Sequence, residues 1–188
     1  MTAILDYRAG NLTSVRNAFA AIGVETTVTR DPAVAAAADK IVFPGVGAAK
    51  SAMDNLRATG LDRAVLAAVA AGKPFLGICL GMQVLFERSE EDGGVDCLGV
   101  LPGAVRRFPS VPGVKVPEIG WNQVNGGREY YFVHSYYAEK CPYTTGVTEY
   151  AGVEFTSAVK KGGLVAYQFH PEKSGRFGLE LLKEFAAC

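Results

Sequence analysis

The sequence predicts an α/β fold in which an open, twisted, mostly parallel sheet is flanked by helices and carries an additional antiparallel portion. In the first half of the chain, short apolar strands alternate with segments of helical periodicity, which is typical of a parallel sheet covered on both faces. In the second half, short strands follow one another with only turns between them, which favours antiparallel pairing. The chain has 188 residues, of which 49% are hydrophobic. This is enough to build one domain spanning residues 1–188.

The elements of the first half are predicted from apolar runs and helix-boundary residues. Asn11 and Asp31 are expected N-caps, and Gly23 and Gly72 are expected to end helices. The predicted strands are 2–6, 25–29, 40–43 and 74–78. The predicted helices are 12–22, a short alanine-rich helix from residue 32, a broken helical segment over 51–59 and 61–71, and 80–87.

Beyond residue 87 the predicted elements are mostly short strands. They are 98–108, interrupted at Pro102-Gly103, then 114–117, 121–124, 129–133, 146–150, 155–160 and 164–168. An amphipathic helix over 175–187 closes the chain, with its apolar residues on one stripe. The acidic loop over 89–94 is interpreted as solvated surface, because no spaced pattern of cation ligands accompanies it.

Charge and cysteine content narrow the classes of partner. Lys plus Arg and Asp plus Glu both number 19, so there is no electrostatic reason to expect nucleic acid or an anionic membrane as partner. No apolar run is long enough to span a bilayer, and residues 1–6 lack the features of a signal peptide, so a cytoplasmic location is expected. The four cysteines form no C-x-x-C pair and there are only two histidines. Neither a metal site nor a disulfide framework is therefore expected.

Cys79 lies where a buried strand meets a helix, in the segment Gly77-Ile78-Cys79-Leu80-Gly81. A nucleophile at such a sharp bend needs small flanking residues so that substrate can reach it, and Gly77 and Gly81 meet that need. The helix N-terminus also favours a thiolate at this position. The alternative is that Cys79 is a small buried hydrophobic residue.

His170 and Glu172 form the second candidate element, at the end of the last predicted strand. Residues two apart in an extended chain point the same way, and Pro171 keeps His170 extended. The Glu172 carboxylate is therefore expected on one ring nitrogen, which leaves the other free to take a proton from Cys79. The alternative is a structural histidine beside a surface glutamate. His134 is the competing base, and it ranks second because no carboxylate follows two residues beyond it.

The segment Pro44-Gly45-Val46-Gly47 follows the third predicted strand. Its glycines allow a tight turn that presents backbone amides to a ligand. Open α/β sheets bind ligands at the carboxyl ends of their strands, where this loop would face Cys79. One amide of the loop is then a candidate oxyanion donor. The alternative is an ordinary connection between a strand and a helix.

These motifs resemble the class I, triad-type glutamine amidotransferases, with residues 77–83 as the nucleophile motif and His170-Pro171-Glu172 as the base and its support. The resemblance spans the whole chain. Further segments are similar to the glutaminase subunits of imidazole glycerol phosphate synthase, an enzyme of histidine biosynthesis. They are 6–12, 44–47, 120–123 and 132–136.

The resemblance implies a flavodoxin-like fold and hydrolysis of L-glutamine to glutamate and ammonia. Cys79 would form a γ-glutamyl thioester, His170 would relay protons, and Glu172 would orient His170. The implied oxyanion hole comprises Gly45, Val46, Gly47 and Leu80. The implied glutamine-binding residues are Gln83, Ser135 and Tyr136. No cofactor is implied.

The resemblance also implies a partner, a (β/α)8-barrel cyclase subunit that forms a heterodimer with the glutaminase and receives ammonia through a channel. Asn11, Gln123 and Lys173 match positions that the family uses at this interface, and the family switches the oxyanion loop through the partner. Arg8 departs from the family, which commonly has glycine there.

Three alternatives remain from the sequence. The chain could serve another glutamine-dependent synthase, although the turn over 6–12 speaks against this. It could be a non-catalytic flavodoxin-like binding domain whose cysteine and histidine are structural. It could also be a cysteine esterase or peptidase, which would ignore glutamine.

Overall fold

The computed structural model of the chain describes residues 1–8 and 12–188. These residues form an eleven-stranded mixed sheet, accompanied by a separate two-stranded antiparallel sheet. The strands are β1 (Thr2–Leu5), β2 (Thr26–Thr29), β3 (Lys40–Gly45), β4 (Phe75–Cys79), β5 (Arg88–Ser89), β6 (Val95–Asp96), β7 (Ala104–Arg107), β8 (Glu118–Gln123), β9 (Glu129–His134), β10 (Tyr136–Ala138), β11 (Thr144–Tyr150), β12 (Val153–Lys161) and β13 (Leu164–Tyr167).

The helices lie mainly in the first half and at the end of the chain. They are α1 (Leu12–Ala21), α2 (Pro32–Ala37), α3 (Ala49–Thr59), α4 (Leu61–Ala70), α5 (Leu80–Gln83) and α6 (Gly175–Ala187), with 3-10 turns at Glu91–Gly93 and Pro171–Lys173. The Asp31 carboxylate accepts from the Ala33 amide at 2.8 Å, so the predicted cap of α2 is confirmed. Gly60, at φ 75°, separates α3 from α4, which confirms the predicted break.

The main sheet has the order β2-β1-β3-β4-β13-β12-β10-β7-β5-β6, with β11 paired to β12. The five strands from β2 to β13 pair in parallel. Beyond β13 the pairing is antiparallel except between β5 and β7. The predicted fold class is confirmed, both in its parallel sheet and in its antiparallel portion.

The parallel strands β1, β3 and β4 are buried between two apolar layers, which explains their almost unbroken apolar sequences. On one face, Met53 of α3 and Val65 of α4 belong to the same buried cluster as Phe43. On the other face, Phe19 of α1 contacts Phe185 of α6, with ring centroids 6.2 Å apart. Sheet and helices thus form three layers.

The position of β13 determines where the candidate site forms. β13 lies parallel to β4, with Tyr167 beside Ile78. The next residues of both strands therefore leave the sheet at the same carboxyl edge. This brings Cys79 and His170, which are 91 positions apart in the chain, to one place.

Two boundaries near Cys79 differ from the prediction. β3 continues through Pro44 to Gly45, because Gly45 pairs with Cys79. The helix after Cys79 ends at Gln83 rather than at residue 87. The carbonyls of residues 84–86 accept from the amides of residues 98–101, so they are not available to continue the helix.

The second half contains the larger errors. The predicted strand 114–117 is wrong, because these residues follow a turn in which the Val114 amide donates to the Val111 carbonyl. The strand instead begins at Glu118. The predicted strand 98–108 is reduced to β7, and the short strands β5, β6 and β10 were not predicted.

Candidate active site

Cys79 occupies a sharp turn between β4 and α5, with φ 53° and ψ −114°. A positive φ is rare for residues other than glycine, and strain of this kind clusters at functional sites. Glycines make the turn possible. A Cβ added at Gly81 would lie 1.8 Å from the Phe43 carbonyl oxygen, and one at Gly77 would lie 2.9 Å from the Ala166 Cβ. The predicted elbow, with small residues on both sides, is therefore present.

Cys79 opens into a cavity of about 320 Å³. Seven other residues named from the sequence line it, and they are Val46, Gly47, Leu80, Gln83, His134, Ser135 and Tyr136. Gly45 does not line this cavity; it lies within β3, opposite Cys79. The structure thus brings the predicted nucleophile together with most of the predicted oxyanion and substrate residues.

His170 and Glu172 form a buried pair that does not line the cavity containing Cys79, but lines a small crevice with Gly45 and Ile78, the residue before Cys79. The His170 Nδ1 lies 2.8 Å from Glu172 Oε1, and the two side chains are 2% and 1% exposed. The His170 Nε2 has no hydrogen-bond partner among residues 1–8 and 12–188. Burial lowers the pKa of His170, but the charge of Cys79 and then Glu172 outweigh burial and raise it to about 10.

His134, the competing base, lines the cavity that contains Cys79 and also has a carboxylate beside it. Glu118 faces His134 across β8 and β9, and Glu118 Oε2 lies 3.0 Å from His134 Nε2. The other ring nitrogen, Nδ1, lies 2.7 Å from the Tyr136 carbonyl oxygen. Sequence spacing missed this pair because Glu118 comes from a distant strand.

Two glutamines connect the wall of the cavity to the sulfur. Gln83 Nε2 donates to the Tyr136 carbonyl at 2.8 Å and to Gln168 Oε1 at 2.9 Å. Gln168 Nε2 in turn donates to Cys79 Sγ at 3.7 Å. The Gln83 amide nitrogen is thus held by the protein. The sequence analysis did not identify Gln168 as a site residue. Its position at the end of the strand before His170 could have indicated that it lies in the site.

Glu91 corrects the interpretation of the acidic loop. This residue is half-buried, accepts from the Ala49 amide at 2.7 Å, and lines the cavity that contains Cys79. Burial raises the pKa of Glu91. The loop over 89–94 is thus more than solvated surface, because one of its carboxylates faces the candidate site.

The family described as "Glutamine amidotransferase class-I" matches residues 3–187. An imidazole glycerol phosphate synthase subunit HisH from Dehalococcoides mccartyi is 46% identical, covering 98% of this chain and 96% of that one. The HisH subunit from Methanothermobacter thermautotrophicus is 49% identical, with 98% and 97% covered. The chain belongs to the HisH group of the class-I glutamine amidotransferases.

Two further comparisons extend this result. The chloroplastic imidazole glycerol phosphate synthase hisHF of Arabidopsis thaliana is 44% identical over 97% of this chain, which spans 33% of that protein. Among solved structures, a glutamine amidotransferase matches with TM-score 0.76 at 21% identity, covering 100% of this chain and 99% of that one. A glutamine amidotransferase from Thermotoga maritima matches with TM-score 0.61 at 16% identity, covering 99% and 82%. These structures share the amidotransferase fold.

Two of the three residues predicted at the amidotransferase's partner interface lie on one exposed face. Gln123 is exposed at the end of β8, and Lys173 is exposed with its ammonium 5.7 Å from the centroid of the Tyr131 ring. Tyr131 pairs with Trp121, which is 55% exposed. The third residue, Asn11, lies outside the described residues.

Arg8, which departs from the family pattern, has φ 65°. This is the left-handed region, which glycine adopts without strain and other residues adopt rarely. Elsewhere in the described ranges, no group of three His, Cys, Asp or Glu side chains is arranged to hold a metal ion. No helix in these ranges has the length and apolarity needed to cross a membrane.

The raised pKa of His170 predicts a pH-dependent stability for this amidotransferase. The pKa is 6.5 in the reference state and about 10 in the folded protein, so the stabilisation is fully present below pH 6.5 and is lost as the pH rises through about 10. We expect the free energy of unfolding in urea to fall by on the order of a few kcal/mol over this window. The Cys79→Ser variant lacks the larger of the causes that raise the pKa of His170. Its free energy of unfolding should therefore fall less over the same pH window. An equal decrease in the free energy of unfolding in both proteins would contradict the inference that Cys79 raises the pKa of His170.

Proposed function

We propose that this chain is the glutaminase subunit of an imidazole glycerol phosphate synthase in histidine biosynthesis, and that residues 1–188 act as one glutaminase domain. The observation that supports the proposal is the buried His170–Glu172 pair, in which His170 Nε2 has no hydrogen-bond partner among the described residues. This pair lies at the same sheet edge as Cys79, whose strained turn opens into a cavity. Membership of the HisH group supports L-glutamine as the substrate.

In the proposed reaction His170 Nε2 already holds the proton of Cys79, because the raised pKa of His170 keeps the ring protonated near neutral pH. The thiolate attacks the γ-amide carbon of glutamine, and the C–N bond breaks as the imidazolium gives its proton to the leaving ammonia. Water, deprotonated by the same nitrogen, hydrolyses the γ-glutamyl thioester to glutamate and restores the thiolate–imidazolium pair. Glu172 accepts from Nδ1 and so keeps Nε2 available throughout.

The developing negative charge on the substrate oxygen needs donors close to Cys79. Val46, Gly47 and Leu80 line the cavity, and we assign the oxyanion role to their backbone amides together with that of Gly45. Donors of this kind typically lower the barrier by about 3 kcal/mol each. The orientation of the 45–47 segment therefore controls the rate.

The two histidines differ in a way that favours His170 as the base. Both nitrogens of His134 face acceptors, the Glu118 carboxylate and the Tyr136 carbonyl. The Nε2 of neither ring has a hydrogen-bond partner among the described residues. His134 Nε2 lies 3.0 Å from the Glu118 carboxylate, whereas Cys79 is among the groups that raise the pKa of His170. We therefore assign the exchange of the Cys79 proton to His170, and we assign His134 to the wall of the glutamine site, where it fixes the Tyr136 carbonyl.

Glu91 supplies the charge that the α-ammonium group of glutamine requires. We expect Glu91→Gln to raise KM for glutamine about 10-fold or more, since an amide cannot replace a charge-assisted hydrogen bond. The kcat should change much less, because the ammonium group lies away from the reacting amide. Steady-state glutamate release measures both constants. Glu87→Gln is the matched control, because the Glu87 carboxylate instead accepts from the Gly103 amide; a similar rise in KM there would contradict the assignment.

A partner subunit would receive the ammonia. We propose a (β/α)8-barrel cyclase that joins ammonia to a phosphoribulosyl-formimino carboxamide nucleotide, giving imidazole glycerol phosphate and an aminoimidazole carboxamide nucleotide. The exposed face that carries Trp121, Gln123 and Lys173 is the proposed contact, and Asn11 is included from the family pattern. The match to one third of the longer hisHF protein supports an associated second activity.

The proposed location is the cytoplasm. The four cysteines are free thiols in the described structure, as expected for a protein of a reducing compartment.

The decisive experiment measures glutamate release with and without the cyclase and its nucleotide. We expect low activity alone and large stimulation by the complex. A glutamine-directed alkylating analogue should label Cys79 stoichiometrically. Absence of both turnover and labelling would reject the glutaminase, whereas turnover that the cyclase never stimulates would point to another acceptor synthase.

A further inference from the structure

Tyr7, which the reaction above does not use, has a buried hydroxyl that finds no hydrogen-bond partner in the described part of the chain. The residue is completely buried, and none of residues 1–8 and 12–188 forms a hydrogen bond with its hydroxyl. Its ring packs against Phe43, with centroids 5.0 Å apart. Burial and the nearby charge of Cys79 raise the pKa of Tyr7, so the phenol keeps its proton. An unsatisfied buried donor costs free energy and calls for a reason.

The hydroxyl lies directly against the oxyanion segment. A Cβ added at Gly45 would come within 2.0 Å of the Tyr7 hydroxyl oxygen and 3.1 Å of the Gly81 amide nitrogen. Gly45 pairs with Cys79, and the next residue, Val46, lines the cavity. The hydroxyl therefore lies against the Gly45 Cα, next to the residue that lines the cavity.

Peptide geometry connects the two sides of this segment. The N–H and C=O of one trans peptide point in opposite directions. If the Val46 N–H points into the cavity to meet the substrate oxyanion, the Gly45 carbonyl must point into the protein interior. A carbonyl turned inward needs a donor, and the Tyr7 hydroxyl is a free donor at that place.

We propose that Tyr7 is a positioning residue whose hydroxyl donates to the Gly45 carbonyl in the reactive conformation, holding the Val46 N–H toward the oxyanion. This rests on the proposed glutaminase function. The conformation described here, with the hydroxyl unpaired, is then a resting arrangement, and forming the hydrogen bond stabilises the reactive one. Glycine at position 45 leaves the room that this contact requires.

The test is Tyr7→Phe, which removes the hydroxyl and keeps the ring. With the cyclase and its nucleotide present, kcat for glutamine should fall about 10-fold or more, while KM changes little. The melting temperature should stay the same or rise, because an unsatisfied group is removed. The rate at which iodoacetamide alkylates Cys79 should not change, since that reaction needs no oxyanion donor.

Tyr143→Phe is the matched control, since Tyr143 is half-buried and packs against Lys161 away from the cavity; its kcat should equal that of the wild type. An unchanged kcat in Tyr7→Phe would overturn the role of the hydroxyl and leave the glutaminase standing. The role of the hydroxyl would also be overturned if the lower kcat came with a lower melting temperature and an altered rate of Cys79 alkylation, because this would indicate a structural role. Failure of the wild-type complex to release glutamate would instead reject the glutaminase itself.

Discussion

Replacing Cys79 with serine is expected to lower kcat for glutamine hydrolysis by about 10,000-fold while the protein stays folded. An alcohol is a far weaker nucleophile than a thiol paired with an imidazole, and no second cysteine lines the cavity among the described residues. The substitution keeps the strained backbone at φ 53° and removes no packing volume of consequence. Glutamate release in the presence of the cyclase measures the loss.

Cys97→Ser is the control for this experiment. Cys97 is partly buried, and burial raises the pKa of its thiol to about 11, so it remains protonated and unreactive near neutral pH. Its replacement should leave turnover and labelling by the glutamine analogue unchanged. If Cys79→Ser retained more than about a hundredth of the wild-type kcat, the thioester route would be excluded, because loss of a nucleophile costs far more than this.

The parts of the site that could be predicted depend on local sequence. The elbow around Cys79 needs a buried strand, a turn and two glycines, all within a few residues. The pairing of His170 with Glu172 follows from strand geometry and one proline. The structure places these groups at one sheet edge because β13 lies beside β4. The order of the elements along the chain did not determine that these two strands are neighbours.

The parts that could not be predicted depend on pairing between distant segments. The strand containing Glu118 was predicted to begin three residues later, at residue 121, so its carboxylate was not considered as a neighbour of His134. Glu91 was assigned to solvent because a short 3-10 turn, with no periodic pattern, carries it to the cavity. The helix after Cys79 was extended too far because its competing hydrogen-bond donors come from residues 98–101.

Replacing Gly81 with alanine is expected to destabilise the protein by about 3 kcal/mol and to abolish glutamine turnover. The added Cβ would lie 1.8 Å from the Phe43 carbonyl oxygen and 2.9 Å from its carbon. These atoms belong to β3, whose position is fixed by pairing with both β1 and β4. The strand cannot move away, so the elbow must shift and take Cys79 out of line with His170. Urea unfolding and glutamate release measure the two effects.

Gly127→Ala separates this steric effect from the general cost of replacing glycine. Gly127 is exposed, and its added Cβ would meet only the Val124 carbonyl oxygen, at 3.5 Å. Its free energy of unfolding should therefore stay within about 0.5 kcal/mol of the wild type, with full activity. If Gly81→Ala were equally harmless, β3 and the elbow could not be packed as closely as described. The strained Cys79 turn would then lack the contact that holds it, and the placement of the nucleophile would have to be abandoned.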